Sequence, residues 1–171
     1  AASYGQNGAR ALSVLTEQHA FGGQLCNIQR AKRVCDLPVL RKDFCMEAMR
    51  LTKMLIDHEQ TNKPEVNALM ALMCFHASRF DARLNPEGGL ILYADQDELH
   101  WNHDLIANGV YYLNQASSGN NLTKYHLEAG IAYWHTIKMD TREKWEKIQQ
   151  LYHYLLELDY SPVAKLNSIY A

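Results

Sequence analysis

The chain has 171 residues, 47% of them apolar and 21% charged, with a net charge of −2. That length suits one domain with a self-sufficient core, and the composition excludes collagen-like and disordered chains. With 17 basic against 19 acidic residues, a protein that holds nucleic acid chiefly by neutralising many phosphates is excluded as well.

Residues 1–38, punctuated by Gly5, Gly8, Gly22 and Gly23 around one short helical stretch, read as a weakly structured lead-in or an unrelated segment. Residues 39–171 read as an all-α domain. Phe44, Ala48, Leu51 and Leu55 recur at helical spacing, with Cys45 and Ile56 widening the stripe, which predicts a core-facing helix. Asn62-Lys63-Pro64-Glu65 opens a second helix to about Phe80, with proline in the first turn, where its missing N–H costs nothing. That helix is apolar nearly all round, so it is expected to be central. Asn85-Pro86-Glu87-Gly88-Gly89 is a turn, since proline presets φ and glycine accepts positive φ. Leu90-Ile91-Leu92-Tyr93 then gives a short extended or hairpin segment near 84–93.

Asp95 or Asp97 is expected to open a third helix through about Ala116, with Trp101, Leu105, Val110 and Leu113 inward. A fourth runs from Thr123 to Lys138, with Gly130 where a neighbouring helix comes close. Asp140-Thr141-Arg142-Glu143 has the form of a capping box. It precedes Trp145, Ile148, Tyr152 and Leu155, a clean helical repeat. Ser161-Pro162 caps and starts a last helix, in which the chain stops in mid-pattern. The chain also lacks an initial Met, and both ends read as those of a piece of a longer protein. The expected architecture is a helical-hairpin, tetratricopeptide-like array or an orthogonal bundle.

The four cysteines, Cys26, Cys35, Cys45 and Cys74, include no C-x-x-C pair, so no zinc site is expected. Free thiols in apolar helical patterns fit a reducing cytoplasm. No transmembrane-length apolar run and no leader pattern occur, so no membrane association is expected. There is neither a G-x-S-x-G elbow nor a glycine-rich phosphate loop, so no catalytic residues are assigned and the chain is read as a non-enzyme. His76, on the most apolar helix, is expected to be a hydrogen-bonded core histidine. Arg79 and Arg83 are expected to pair with Asp95 or Asp97. An alternative reading gathers His76, His100, His103, His126, Glu128 and His135 into a metal or small-molecule site. The basic run Arg30-Ala31-Lys32-Arg33 is read as a solvated face, and the tyrosine-rich helices suit a protein interface.

From Leu40-Arg41-Lys42-Asp43-Phe44 through Pro64-Glu65-Val66-Asn67-Ala68-Leu69-Met70, His76-Ala77-Ser78-Arg79, Leu92-Tyr93-Ala94-Asp95-Gln96-Asp97, Trp101-Asn102, Tyr125-His126-Leu127-Glu128-Ala129-Gly130, His135 and Ser161-Pro162-Val163-Ala164-Lys165-Leu166-Asn167, the chain resembles one family. It is similar to the C-terminal helical extension of extracytoplasmic-function RNA polymerase sigma factors, with wording like that of the Bacteroidetes members. The resemblance implies a regulatory or interaction domain, without the promoter-reading regions and without direct DNA binding. Its partners would be the remaining sigma regions or core RNA polymerase, and it implies no cofactor. Polar residues set among apolar helices must be paired, which singles out His76, Arg79, Asp95, Asp97, Trp101, Glu128 and His135 as a structural network or a binding set.

Overall fold

The computed structural model describes residues 42–83 and 91–170. Among them are six α-helices: α1 (Lys42–Asp57), α2 (Pro64–Ala77), α3 (His103–Ala116), α4 (Lys124–Trp134), α5 (Arg142–Leu158) and α6 (Pro162–Tyr170). Three single 3₁₀ turns, Asp81–Arg83, Tyr93–Asp95 and Glu98–His100, fill the connection from α2 to α3. No strand occurs among the described residues, and the fold is all-α as expected. None of their helices is long and apolar enough to cross a membrane. The expected lead-in over 1–38 lies outside the described residues, as does most of the expected extended segment. Its described end, Ile91, donates its N–H to the Arg83 carbonyl at 2.9 Å, and the chain then turns at Tyr93.

Helix α2 is the hub, packed against α1, α3 and α4, while α4, α5 and α6 follow as successive packed neighbours. Its all-round apolarity explains the position: Ala68, Met70, Ala71, Cys74, Phe75 and Ala77 are all buried. One core cluster joins Ala71 and Phe75 of α2 to Ala129 and Ala132 of α4, with Ile106, Val110 and Leu113 of α3 packed on it. A second joins Leu127 and Ile131 of α4 to Ile148 and Leu155 of α5, covered by Trp145, Leu151 and Tyr152. The periodic residues of α5 therefore all reach the core. The close approach expected at Gly130 is present, with Leu151 Cδ1 3.2 Å from where a Cβ would stand.

Several boundaries differ from the sequence reading, each for a local reason. In α1, Leu51 and Leu55 are about half exposed and Thr52 is buried. The inward line runs through Cys45, Ala48, Thr52 and Ile56, where α2 packs against this helix. Helix α2 ends at Ala77, where the Ser78 hydroxyl turns back to the Phe75 carbonyl at 2.7 Å. Helix α3 begins at His103, not at Asp95 or Asp97. Asn102 Oδ1 accepts the Leu105 N–H at 2.9 Å, while Asp97 caps only the 3₁₀ turn through Leu99 N–H. Helix α4 ends at Trp134 with His135 as its C-cap. The cap of α5 is Thr141, which accepts the Lys144 N–H at 3.3 Å. Asp140 instead takes the indole N–H of Trp145. Helix α6 starts at Pro162, as its Ser-Pro signal predicts.

Candidate functional site

Arg79 leaves the end of α2 and donates Nη1–H to the His135 carbonyl at 2.9 Å, bridging α2 to the end of α4. Its guanidinium lies 5.0 Å from the Tyr93 ring centroid and 5.7 Å from that of Trp101. The His135 ring stands edge-on to Tyr93 at 5.4 Å and to Trp145 at 6.0 Å. Lys144, only 1% exposed, donates to the Tyr93 hydroxyl at 2.9 Å and to the Ile137 carbonyl at 2.7 Å. Its ammonium sits 5.0 Å from both the Tyr93 and Trp145 ring centroids. Two cations are thus held in one knot by carbonyls and aromatic faces rather than by carboxylates. Such faces attract cations through their quadrupole, most strongly where water is excluded.

The expected ion pairs of Arg79 and Arg83 with Asp95 or Asp97 do not form. Asp97 faces Leu99 N–H and the imidazole of His100, and Asp95 is exposed on its turn. Arg83 points elsewhere, with Nη2 3.5 Å from His76 Nδ1 and its guanidinium over the Phe80 ring. His76 is not a core histidine either, since its side chain faces solvent from α2. Crowding by the protein, then Arg83 and Arg79, lower its pKa to about 4, an effect that water reaching the ring screens in part. Burial lowers His135 to about 4 as well, aided by Arg79, Lys144, His76 and Arg83. Burial and the neighbouring Arg83 bring Arg79 down to about 10, so it stays a cation at neutral pH.

Beside the knot a cleft of about 410 Å³ opens between α2, α4, α5 and α6. Leu72, Phe75, Ile131 and Leu155 form its floor, and Val163 and Asn167 of α6 form one wall. His76, Arg79 and His135 stand at one end. Glu128, two helical turns back along α4, marks the other end with Asp159. Burial raises the Glu128 carboxyl above its ordinary pKa, opposed by Lys124 and reinforced by Asp159. Lys124 itself pairs with Asp159 at 3.0 Å.

Of the seven residues singled out in sequence, His76, Arg79, Glu128 and His135 line this one cleft. Trp101 lies behind it in the knot, its indole N–H buried without a hydrogen-bond partner among the described residues, and Asp95 and Asp97 are outside. Tyr93, Lys144, Tyr152 and Asn167 were not foreseen as part of the site. Tyr93 reads as one more apolar residue of its run, and Lys144, although four residues before Ile148 and so on the inward face of α5 by spacing, carries a charge that argues against burial. The alternative metal set does not assemble. Among the described residues no group of three or more His, Cys, Asp or Glu side chains is placed to hold an ion. His100 and His103 are exposed. His126 is spent on capping: Nδ1 accepts the Thr123 N–H at 3.2 Å, and Nε2 faces the Ala116 carbonyl at 3.2 Å.

Residues 33–117 match a family described as a family of unknown function (DUF6596), and residues 1–56 match indole-3-glycerol phosphate synthase. An uncharacterized protein of Rhizobium meliloti is 32% identical over 126 residues, 73% of this chain and 30% of that protein. The indole-3-glycerol phosphate synthases of Burkholderia multivorans and Bordetella pertussis are 47% and 49% identical over 51 residues, 30% of this chain and 20% of each synthase. The chain therefore spans less than a third of the length of these relatives. No solved structure matches. The synthase likeness ends at residue 56, before any residue of the cleft, whereas the match to the family of unknown function takes in Leu72, Phe75, His76 and Arg79.

The depressed histidines set a direction for stability against pH. A base whose folded pKa lies below its unfolded value takes up its proton first in the unfolded chain, so acid favours unfolding. For His135 the stabilisation is complete above about pH 6.5 and is lost as pH falls toward its folded value of about 4. At about 1.4 kcal/mol per pKa unit, and allowing for water at its partly exposed edge, His135 contributes on the order of 2 kcal/mol. Glu128, with its raised carboxyl pKa, works in the opposite sense and trims the total. Urea melts near pH 7 and near pH 4.5 are expected to show a lower midpoint in acid. His135→Gln is expected to reduce that difference, and an unchanged difference would remove His135 from the account.

Proposed function

We propose that residues 39–171 form a regulatory and interaction module of an extracytoplasmic-function RNA polymerase sigma factor. It acts in the cytoplasm through contacts with the remaining sigma regions or core RNA polymerase, and it neither reads promoter DNA nor catalyses a reaction. One observation carries this reading beyond the resemblance: the blocks around 76–79, 125–135 and 161–167, remote in sequence, all supply side chains to a single cleft. Motifs that serve only to hold three separate helix pairs together have no reason to share one opening. A helical scaffold with one apolar, charged-rimmed cleft suits recognition better than chemistry, since no nucleophile and base stand within hydrogen-bond reach of each other there.

The test is capture by the immobilised 171-residue chain of purified core RNA polymerase and, separately, of the preceding regions of a sigma factor that carries such an extension. Capture of either, with no shift of promoter DNA by the chain alone, is the expected result. Failure to capture both would overturn the reading.

A further inference from the structure

We propose that the cleft is a groove for a short extended peptide segment, with an acidic residue seated at the Arg79 end, a basic residue at the Glu128 end and apolar side chains between them. The proposal rests on the reading that the domain works through protein contacts, and it names what the cleft recognises.

Both ends carry unspent charge. Arg79 uses one N–H on the His135 carbonyl and has no carboxylate partner among the described residues. Arg83 and Lys144 add to the positive field there, and His135 is neutral at ordinary pH, so it offsets none of it. Part of this charge is answered by the carbonyl end of α2, whose partial negative charge favours nearby cations. The remainder favours an incoming carboxylate, which a guanidinium meets with charge-assisted hydrogen bonds. At the other end the half-buried Glu128 forms no hydrogen bond or ion pair among the described residues. Asp159 is already paired with Lys124, so one net negative charge remains at this end, and an incoming ammonium or guanidinium would meet it at Glu128.

Spacing selects the occupant. Glu128 and His135 are seven residues apart on one helix, about 10 Å at 1.5 Å per residue. An extended peptide covers that span in about three residues. The volume of about 410 Å³ accepts a few side chains but not a whole helix, whose diameter with side chains is about 10 Å or more. The floor of Leu72, Phe75, Ile131 and Leu155 requires those intervening side chains to be apolar. A bare phosphate would leave that floor uncovered, and the phosphate of a nucleotide would oppose Glu128 if seated at that end.

The probe is an acetylated, amidated tetrapeptide of lysine, two leucines and aspartate, titrated into the full chain and followed by tryptophan fluorescence, since Trp101 and Trp145 adjoin the Arg79 end. Saturable binding is expected, at least about tenfold tighter than that of otherwise identical peptides with lysine or aspartate at both ends. Glu128→Lys is expected to invert the preference toward the two-aspartate peptide, and Arg79→Gln to weaken every peptide with an acidic end. Because Arg79 also holds the knot, Val163→Arg serves as the independent variant. It fills the cleft from an exposed position on α6 and is expected to abolish binding while leaving the thermal melt unchanged. No peptide binding, or the same preference in wild type and Glu128→Lys, would overturn the proposal. Binding of inorganic phosphate in place of the peptide would do the same. Polymerase or sigma capture that persists in Glu128→Lys and Val163→Arg would sink this inference alone. Peptide binding without capture of either partner would sink the sigma reading alone.

Discussion

Gly109→Ala is expected to destabilise the fold by about 2–3 kcal/mol, lowering the urea midpoint with little change in slope. A Cβ at Gly109 would stand 2.5, 2.7 and 2.9 Å from Phe75 Cε1, Cδ1 and Cζ. All three lie inside ordinary van der Waals contact. The ring has nowhere to retreat: Phe75 is 1% exposed, packed on Ala71, Ala129 and Ala132, and tilted against Tyr133 at 5.7 Å. Alanine's better helix propensity returns at most about 1 kcal/mol, which the overlap outweighs. Gly130→Ala supplies the control. There the neighbour is the movable end of Leu151 at 3.2 Å, so propensity gain and crowding are expected to cancel nearly. Adding Phe75→Leu to Gly109→Ala is expected to restore part of the loss, as a coupled pair should. A Gly109→Ala protein as stable as wild type would mean that α3 does not lie this close to α2.

The helices themselves were legible because apolar periodicity and caps point the same way in most of them. Trp145, Ile148, Tyr152 and Leu155 read as one face of α5, and all four reach one cluster. Pro64 and Pro162 each start a helix where a first-turn proline should. The register of α1 was not legible, since Phe44-Ala48-Leu51-Leu55 and Cys45-Ala48-Thr52-Ile56 both have helical spacing. Hydrophobicity alone prefers the first, whereas the structure buries Thr52 and leaves Leu51 and Leu55 about half exposed. In residues 93–102 the sequence points to Asp95 or Asp97 as the cap, and the structure uses Asn102. Tertiary structure decides among them, because Trp101 is buried in an extended conformation under Arg79 and holds the helix start back to His103.

The polar residues show the same division. His76, Arg79, Glu128 and His135 could be singled out as polar positions on apolar helices, and they line one cleft. Their partners could not be read, because sequence suggests pairing by charge sign. The structure pairs Arg79 with a carbonyl and two rings instead. Backbone carbonyls carry no residue label, and an aromatic that serves a cation looks in sequence like one that fills a core. The close approach of α3 to Phe75 was equally hidden, since Asn108-Gly109 is a pair that in sequence signals a turn, whereas the structure keeps it inside α3. The smallness of Gly109 matters only once a ring is seen beside it.

Lys144 is the other place where a single change should be costly, with Lys144→Ala expected to lose about 3 kcal/mol. Its ammonium makes two charge-assisted hydrogen bonds, to the Tyr93 hydroxyl and the Ile137 carbonyl, and such bonds are worth about 1.5–3 kcal/mol in total effect when broken in place. Alanine also removes the methylene stem from a site only 1% exposed, leaving a cavity. Lys144→Met separates the two contributions, because it refills the stem volume and brings no charge that must be desolvated. The Ile137 carbonyl keeps the Tyr93 hydroxyl at 3.3 Å, so methionine is expected to recover most of the loss, leaving a deficit of about 1 kcal/mol. A methionine variant as unstable as the alanine one would show instead that the ammonium ties Tyr93 to the start of α5 and that packing there is secondary. Both variants remove a cation that depresses His135. Histidine titration followed by NMR should therefore place His135 above its wild-type value of about 4 in each of them. That rise would tie the knot electrically to the cleft end, and an unmoved His135 would mean that Lys144 has no part in setting its pKa.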